Sequence, residues 1–523
     1  MHIANNILGR RDFLRQMAAF ATLLAMPGAG VAGVRVQPKK SPFTLGVASG
    51  SPTVDGFVLW TRLLGEEIPA EQTVQVSWEV FALESPEQMI AQGVGVARPE
   101  LAHSVHVEVG GLAADRWYGY RFRLGETFSA TGRARTLPAA GTMPARLRLA
   151  YASCQHWENG FYAAYRHMQS ENLDFVLFAG DYIYEGASSQ DPKAVRRHHL
   201  RSAHSLEDYR ARYAIYKSDP HLQAMHAQCP WLVIWDDHEV ENDYIGTLSI
   251  YATENFLQRR MAGYQAYYEH MPLRTSSMLA GVEGLLRGAE LRIYNRVEFG
   301  RLAALHLLDL RQYRDAPLCP NKASPEMRAI CAPPNPARSM LGKAQEQWLE
   351  GSFQQSKAQG TRWNIVVQPT RVTPANYPDG AGNNFSVDRW DAFPDARLRL
   401  LHAFVRHKLR NPLILGGDIH HNWVAQVHLD PYDVSSAVVA SEFVGTSISS
   451  RAGRTQEAAD KHAAKNPHCL LSHTEKRGYG VVELTAERAQ VELRVLDDVR
   501  DAESKLATLA RFVVEDGRPL RRL

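Results

Sequence analysis

The sequence predicts a layered α/β domain behind a smaller antiparallel β-sandwich, and three observations lead to it. From residue 143 to 523, strand-like and helical patterns alternate, the rhythm of a layered α/β fold. Four short apolar runs there end in glycine or directly in acids, imidazoles or a thiol. Ahead of them, residues 42–138 break into short β-prone runs separated by Gly, Pro and Asp turn signals.

The first 32 residues stand apart. Gly9-Arg10-Arg11-Asp12-Phe13-Leu14-Arg15 is a twin-arginine pattern, followed by an apolar segment over 17–26 and small residues through Ala32. This reads as an export signal handled by the twin-arginine machinery, and it predicts a periplasmic or secreted protein. The apolar segment is too short for a lasting membrane anchor. With 22% charged residues and a net charge of +3, the chain reads as globular and only mildly basic, so composition points to neither nucleic acid nor a membrane surface as partner. Of five cysteines, Cys319 and Cys331 flank a Pro-rich loop and suit a disulfide in an oxidising compartment. Cys229 and Cys469 are solitary, and Cys154 stands at a strand end.

The runs 74–81, 104–109 and 117–124 predict the leading sandwich, and Leu137-Pro138-Ala139-Ala140-Gly141 reads as the linker to the larger domain. Ser205 with Asp208 reads as a capped helix start whose Leu206, Tyr209 and Tyr213 share a face. Leu257, Met261, Tyr264 and Tyr268 form a second helical stripe; both stripes are assigned to the core. Between Gly186 and His204 lies a polar insertion with Arg196, Arg197, His198, His199 and Arg201, either a solvated loop or a lid that steers anions. The runs 481–484 and 491–496 read as a hairpin closing the sheet.

The stretch 173–186, LDFVLFAGDYIYEG, organises the rest. Its run 175–178 is apolar throughout, as in a strand buried on both faces, and Gly180 ends it. Asp181 then sits beyond the carboxyl end of the strand, where open α/β sheets present ligand-binding groups, and Tyr184 follows on the same loop. A carboxylate and a phenolate so spaced can approach one metal ion, with one carboxylate oxygen left to bridge to a second. The plainer reading is a turn cap and a packed ring. Repetition favours the metal: 147–153 leads to Cys154-Gln155-His156, 231–235 to Asp236-Asp237-His238-Glu239, and 413–415 through two glycines to Asp418-Ile419-His420-His421. Ionisable groups gathered at one buried edge are costly unless paired or metal-bound.

This order of motifs resembles the metallophosphoesterases, and in its variants the PhoD-like alkaline phosphatase/phospholipase D branch, over nearly all of the chain beyond residue 32. The resemblance implies a β-sandwich core flanked by helices over 143–523 and a fibronectin-like domain over 42–138. It implies a hydrolase of phosphate esters, acting on monoesters and diesters through metal-activated water, with a phospholipase D-like diesterase as the alternative. One ion, Fe3+ by resemblance, takes Cys154, Asp181, Tyr184 and His420. The other, Ca2+ by resemblance, takes Asp181, Asp418 and either Asp237 or Asn242. Asp237 occupies a place where relatives have Asn, and Asn242 lies five residues on. His238 is the candidate proton donor to the leaving group, and Asp181 the bridge. Arg311, or Arg314, grips phosphate oxygens or makes an internal salt bridge. Gln368 stands where purple acid phosphatases place a metal-binding His. A cysteine-dependent phosphatase needs an arginine after Cys154, and QHWENGF has none. The remaining alternative is an exported binding module whose metal edge is structural.

Overall fold

The computed structural model describes residues 33–278, 290–320, 325–375 and 386–523, so the twin-arginine segment lies outside the described residues. Two sheets form the centre. In the first, of ten strands, Leu147–Ala152, Phe175–Ala179 and Trp231–Ile234 run parallel side by side. In the second, of seven, Ala303–Leu307, Trp363–Val367, Pro412–Gly416 and Val438–Val444 are the parallel run.

Period-two alternation explains how the sheets stack. Ile365, Val367, Leu413 and Leu415 share one core with Leu149, Val176 and Phe178 of the ten-stranded sheet. The intervening Val366 and Ile414 turn the other way, into a second core with Leu349 and Phe353 of helix Lys343–Gln359 and Leu400 and Phe404 of helix Pro394–Arg406. The seven-stranded sheet is thus buried on both faces, which is why its strands read as continuous apolar runs. The expected sandwich core with flanking helices is present. The hairpin over Gly478–Leu484 and Arg488–Leu496 pairs antiparallel and joins the first sheet beside Leu147–Ala152.

The N-terminal β-rich region is also present, with one difference from a free-standing module. Strands Val47–Gly50, Phe57–Arg62 and Ser104–Val109 extend the ten-stranded sheet through the pairing of Gly50 with Trp231. A separate sheet built on Val74–Ala82, Ser85–Ala97 and Trp117–Leu124 packs over that extension, burying Phe57, Leu59, Val76, Val80, Tyr120 and Phe122.

Helix Leu206–Lys217 starts as expected: Ser205 accepts from the Asp208 N–H, and the Asp208 carboxylate accepts from the Ser205 N–H. Tyr209 and Tyr213 are buried. The second stripe holds only in part, because Leu257 on helix Phe256–His270 is 42% exposed while Tyr264 and Tyr268 are buried. The helix inserts its long Arg259 and Arg260 side chains into the space that a purely apolar stripe would fill. The polar insertion is fastened down: Arg196 lies 3.5 Å over the Trp157 ring and pairs with Asp219 at 2.8 Å, and Arg201 pairs with Asp208. Those charges are satisfied internally, which favours the loop reading over the lid. Cys319 and Cys331 form a disulfide.

Candidate metal centre

Because the three strands Leu147–Ala152, Phe175–Ala179 and Trp231–Ile234 are parallel neighbours, their carboxyl ends share one edge. Pro412–Gly416 delivers its end to the same place from the opposite sheet, and a Cβ added at Gly417 would collide with Ser153. At that meeting point the backbone turns left-handed at four residues with side chains, Cys154 (φ 58°), Asp181 (φ 57°), Asp418 (φ 62°) and His420 (φ 56°). Such conformations cost of order 1–3 kcal/mol each and cluster at functional sites. All four are residues singled out from sequence.

Glu239 holds the Asp181 turn in place. Its carboxylate accepts from the backbone N–H groups of Asp181 (3.1 Å), Tyr182 (2.6 Å) and Asp236 (3.0 Å), tying the second strand end to the third. Gly180 makes this approach possible: its φ is +93°, and an added Cβ would stand 2.5 Å from that of Asp236. Gly180→Ala combines left-handed strain with overpacking, and its expected cost is about 3 kcal/mol of unfolding free energy. Denaturant unfolding of the variant against wild type measures it.

Cys154, Asp181 and His420 bring sulfur, oxygen and nitrogen within 4.8 Å of one another. Tyr184 joins them, its hydroxyl donating to Asp181 Oδ2 at 2.9 Å and lying 3.2 Å from His420 Nε2. The Ser450 hydroxyl sits 2.8 Å from both the Tyr184 oxygen and the Cys154 carbonyl. His420 Nδ1 is 2.7 Å from the Arg451 carbonyl, so Nδ1 carries the proton and Nε2 keeps its lone pair toward the cluster.

A second group, Asp181, Asp237 and His238, shares Asp181, and a third comprises Asp237, Asp243 and Asp388. Asp237 Oδ2 accepts from the Asp243 N–H at 2.7 Å. The Asn242 side-chain amide donates to the Tyr251 hydroxyl at 3.0 Å. Asp418 lies outside the three groups; its Oδ2 accepts from Thr370 (2.6 Å) and from Arg389 Nε (2.9 Å). His238 Nδ1 is 2.7 Å from Glu185, and its ring lies against Tyr184 with centroids 4.2 Å apart.

Arg311 makes the internal salt bridges of the second alternative. It is fully buried, with Nε on Asp236 and both terminal nitrogens on Asp388, which commits three of its five N–H groups to the acids of this edge. Arg314 joins it on Asp388 at 2.8 Å. Gln368 is likewise consumed: it pairs with both backbone groups of Thr370 and accepts from the Trp390 indole. His421 turns away from the cluster, with Nδ1 2.8 Å from the Ile419 carbonyl.

Electrostatics define what the edge lacks. Burial, reinforced by Asp237, Asp236 and Glu239 and opposed by His238, pushes the Asp181 carboxyl well above its usual range. Burial does the same to Asp236 against the pull of Arg311, and raises Asp243 to about 8 with help from Asp388 and Asp237. The Cys154 thiol and Tyr184 phenol are raised by burial and by Asp181, while burial lowers His420 to about 4. His238 moves upward: Glu185, Asp181 and Asp237 outweigh its burial. Anionic donors are crowded here without enough positive charge, a deficit that a bound cation makes good.

Sequence reasoning passed over Glu185, Glu239, Asp388 and Arg389. The first two were in plain view inside the motifs DYIYEG and DDHE. Asp388 and Arg389 lie beyond a Gly- and Asn-rich stretch with no periodic pattern, and only the fold brings them to this edge.

Comparison with known proteins agrees with this picture. The PhoD-like phosphatase family model matches residues 149–493, and the model of the PhoD-like phosphatase N-terminal domain matches 29–138. Alkaline phosphatase D of Bacillus subtilis (strain 168) is 39% identical over 98% of this chain and 88% of its own length. A solved structure titled "Structure of PhoD" superposes with a TM-score of 0.83 at 38% identity, covering 93% of each chain. The chain therefore belongs to the PhoD-like phosphatases, metal-dependent phosphoesterases of the alkaline phosphatase and phosphodiesterase kind.

Proposed function

We propose that this protein is an exported phosphatase that cleaves phosphate esters at the edge where the four strand ends meet, with Asp181 shared between two metal ions. One observation carries the reading: Asp181 belongs to two of the ligand groups, and its buried Oδ1 has no hydrogen-bond partner while Oδ2 is held by Tyr184. A carboxylate with one oxygen committed and one buried and unsatisfied suits a bridge between cations.

The donor sets fit two different ions. Cys154, Asp181, Tyr184 and His420 offer thiolate, carboxylate, phenolate and imidazole, which suit an oxidised transition metal such as Fe3+. Asp181, Asp237 and Asp418 offer carboxylate oxygens for a hard ion such as Ca2+. Asp237 offers a carboxylate oxygen within 4.8 Å of donor atoms of Asp181 and His238, which favours it as the ligand. When bound, such ions acidify a water and stabilise charge on the phosphoryl oxygens.

The chain's own residues supply the rest. His238, half-buried at the rim, keeps Nδ1 on Glu185 and has Nε2 to protonate the departing alcohol. Arg311 acts as a positioning residue, holding Asp236 and Asp388 and standing 3.7 Å from Asp237. Glu185→Gln is expected to lower kcat by roughly 10- to 100-fold, the usual effect of losing such a partner. The loss should be larger for poor leaving groups than for nitrophenyl esters, which a leaving-group series reads directly. Export by the twin-arginine route completes the proposal, resting on Arg10, Arg11 and the segment after them. Among the described residues, no helix is long and apolar enough to cross a membrane.

The experiment is hydrolysis of matched aryl phosphate monoester and diester substrates by the mature protein across alkaline pH. A faster monoester supports the alkaline phosphatase reading, and a faster diester moves the assignment to phosphodiesterase or phospholipase D. Turnover of neither by metal-loaded protein would favour the binding-module alternative.

A further inference from the structure

One imidazole at the metal edge has no part in the chemistry above. His156 ends the run Cys154-Gln155-His156 yet belongs to none of the ligand groups. Its ring lies against that of Tyr184, with centroids 4.6 Å apart, and the same Tyr184 ring meets His238 at 4.2 Å. Two imidazoles thus contact the one phenol that joins Asp181 to His420.

His156 is fixed from several sides. Its backbone N–H donates to Ser450 Oγ at 3.2 Å, and its carbonyl accepts from Ser449 Oγ at 2.8 Å. The Glu158 N–H donates to His156 Nδ1 at 3.2 Å, so Nδ1 is the acceptor and the ring proton sits on Nε2. Nε2 has no protein partner among the described residues, and the residue is half-buried.

The insertion between Gly186 and His204 holds this turn. The Glu158 carboxylate accepts from the Ser188 hydroxyl (2.6 Å) and from the N–H groups of Ser189 (2.7 Å) and His198 (3.1 Å). Arg196 Nε donates to the Trp157 carbonyl at 2.7 Å. Polar groups of the insertion are thus spent on keeping residues 156–158 in one conformation.

An N–H held ready beside the site of an anionic ester binds it at a lower cost in ordering than one that must first be fixed. The other groups of the cluster do not offer the same donor. His420 keeps a lone pair on Nε2 and spends its Nδ1 proton on the Arg451 carbonyl, and Arg311 is turned to Asp236 and Asp388.

We infer that His156 is a further substrate-contacting residue, its Nε2–H donating to a phosphoryl oxygen of the bound ester. This rests on the phosphoesterase reading and deepens it: His238 serves the oxygen that leaves, and His156 an oxygen that stays on phosphorus.

The test is His156→Phe, which keeps a ring against Tyr184 and removes the N–H, beside His156→Gln, whose amide restores a donor. In metal-loaded protein, His156→Phe should lower kcat/KM by about 10- to 100-fold, the usual worth of a hydrogen bond to a charged group. Competitive inhibition by inorganic phosphate should weaken by about tenfold. Nitrophenyl and alkyl esters should lose equally, unlike the pattern in His238→Gln. His156→Gln should return to within about fivefold of wild type, and both variants should keep the wild-type metal content. Wild-type kcat/KM and phosphate inhibition in folded His156→Phe would overturn the contact. So would loss of metal in His156→Phe, or no recovery in His156→Gln, since either makes the ring a support for Tyr184. Turnover of neither ester by wild type would overturn the phosphoesterase reading, and the contact with it.

Discussion

Asp181→Asn removes hydrolysis by roughly 10³-fold or more, on the several kcal/mol that a shared metal contributes to the transition state. The substitution keeps the shape and deletes the charge. Its backbone is left-handed, φ 57°, a conformation that Asn tolerates better than most side chains, so the turn after Gly180 persists. The variant also loses a carboxyl that burial already disfavours as an anion, so its metal-free form should unfold no more readily than wild type. Steady-state turnover together with thermal unfolding separates loss of chemistry from loss of fold. Wild-type turnover in a folded variant would remove Asp181 from the mechanism.

His238→Gln is the second large effect. Glu185 fixes Nδ1 at 2.7 Å, and the surrounding carboxylates favour the protonated ring. Loss of a general acid costs typically 10²- to 10⁴-fold, and that loss concentrates where the leaving oxygen needs its proton most. Alkyl phosphates should therefore lose most of their turnover, while a nitrophenyl ester, whose oxygen departs readily as an anion, should lose about tenfold or less. A uniform loss across leaving groups would assign His238 to binding or positioning instead.

Those two residues were legible because the physics that exposes them is local. An apolar run buried on both faces leaves one end at which polar groups can stand; Gly180 and the pair Gly416-Gly417 mark two of those ends, and the acids after Trp235 mark a third. The Ser205–Asp208 capping box was readable for the same reason, since its two partners lie three residues apart. What depends on distant packing was not. Leu257 faces solvent because Arg259 and Arg260 take the inner side of its helix. The first strands join the large sheet because Gly50 meets Trp231, a pairing across 181 residues. Arg311 is drawn into an ion pair by Asp388, 77 residues away, so a guanidinium that reads as a phosphate clamp becomes a support for the acids. The Arg389 contact with Asp418 belongs to the same category.

The most direct test of the metal-bridged edge is elemental analysis of the purified mature protein, read against hydrolysis by the same preparations, for wild type and for the double variant Cys154→Ser/Asp181→Asn. Active wild type is expected to retain iron and calcium, and the variant to lose iron together with turnover. Full activity in wild type stripped of bound metal, or an unchanged metal complement in an inactive variant, would contradict it.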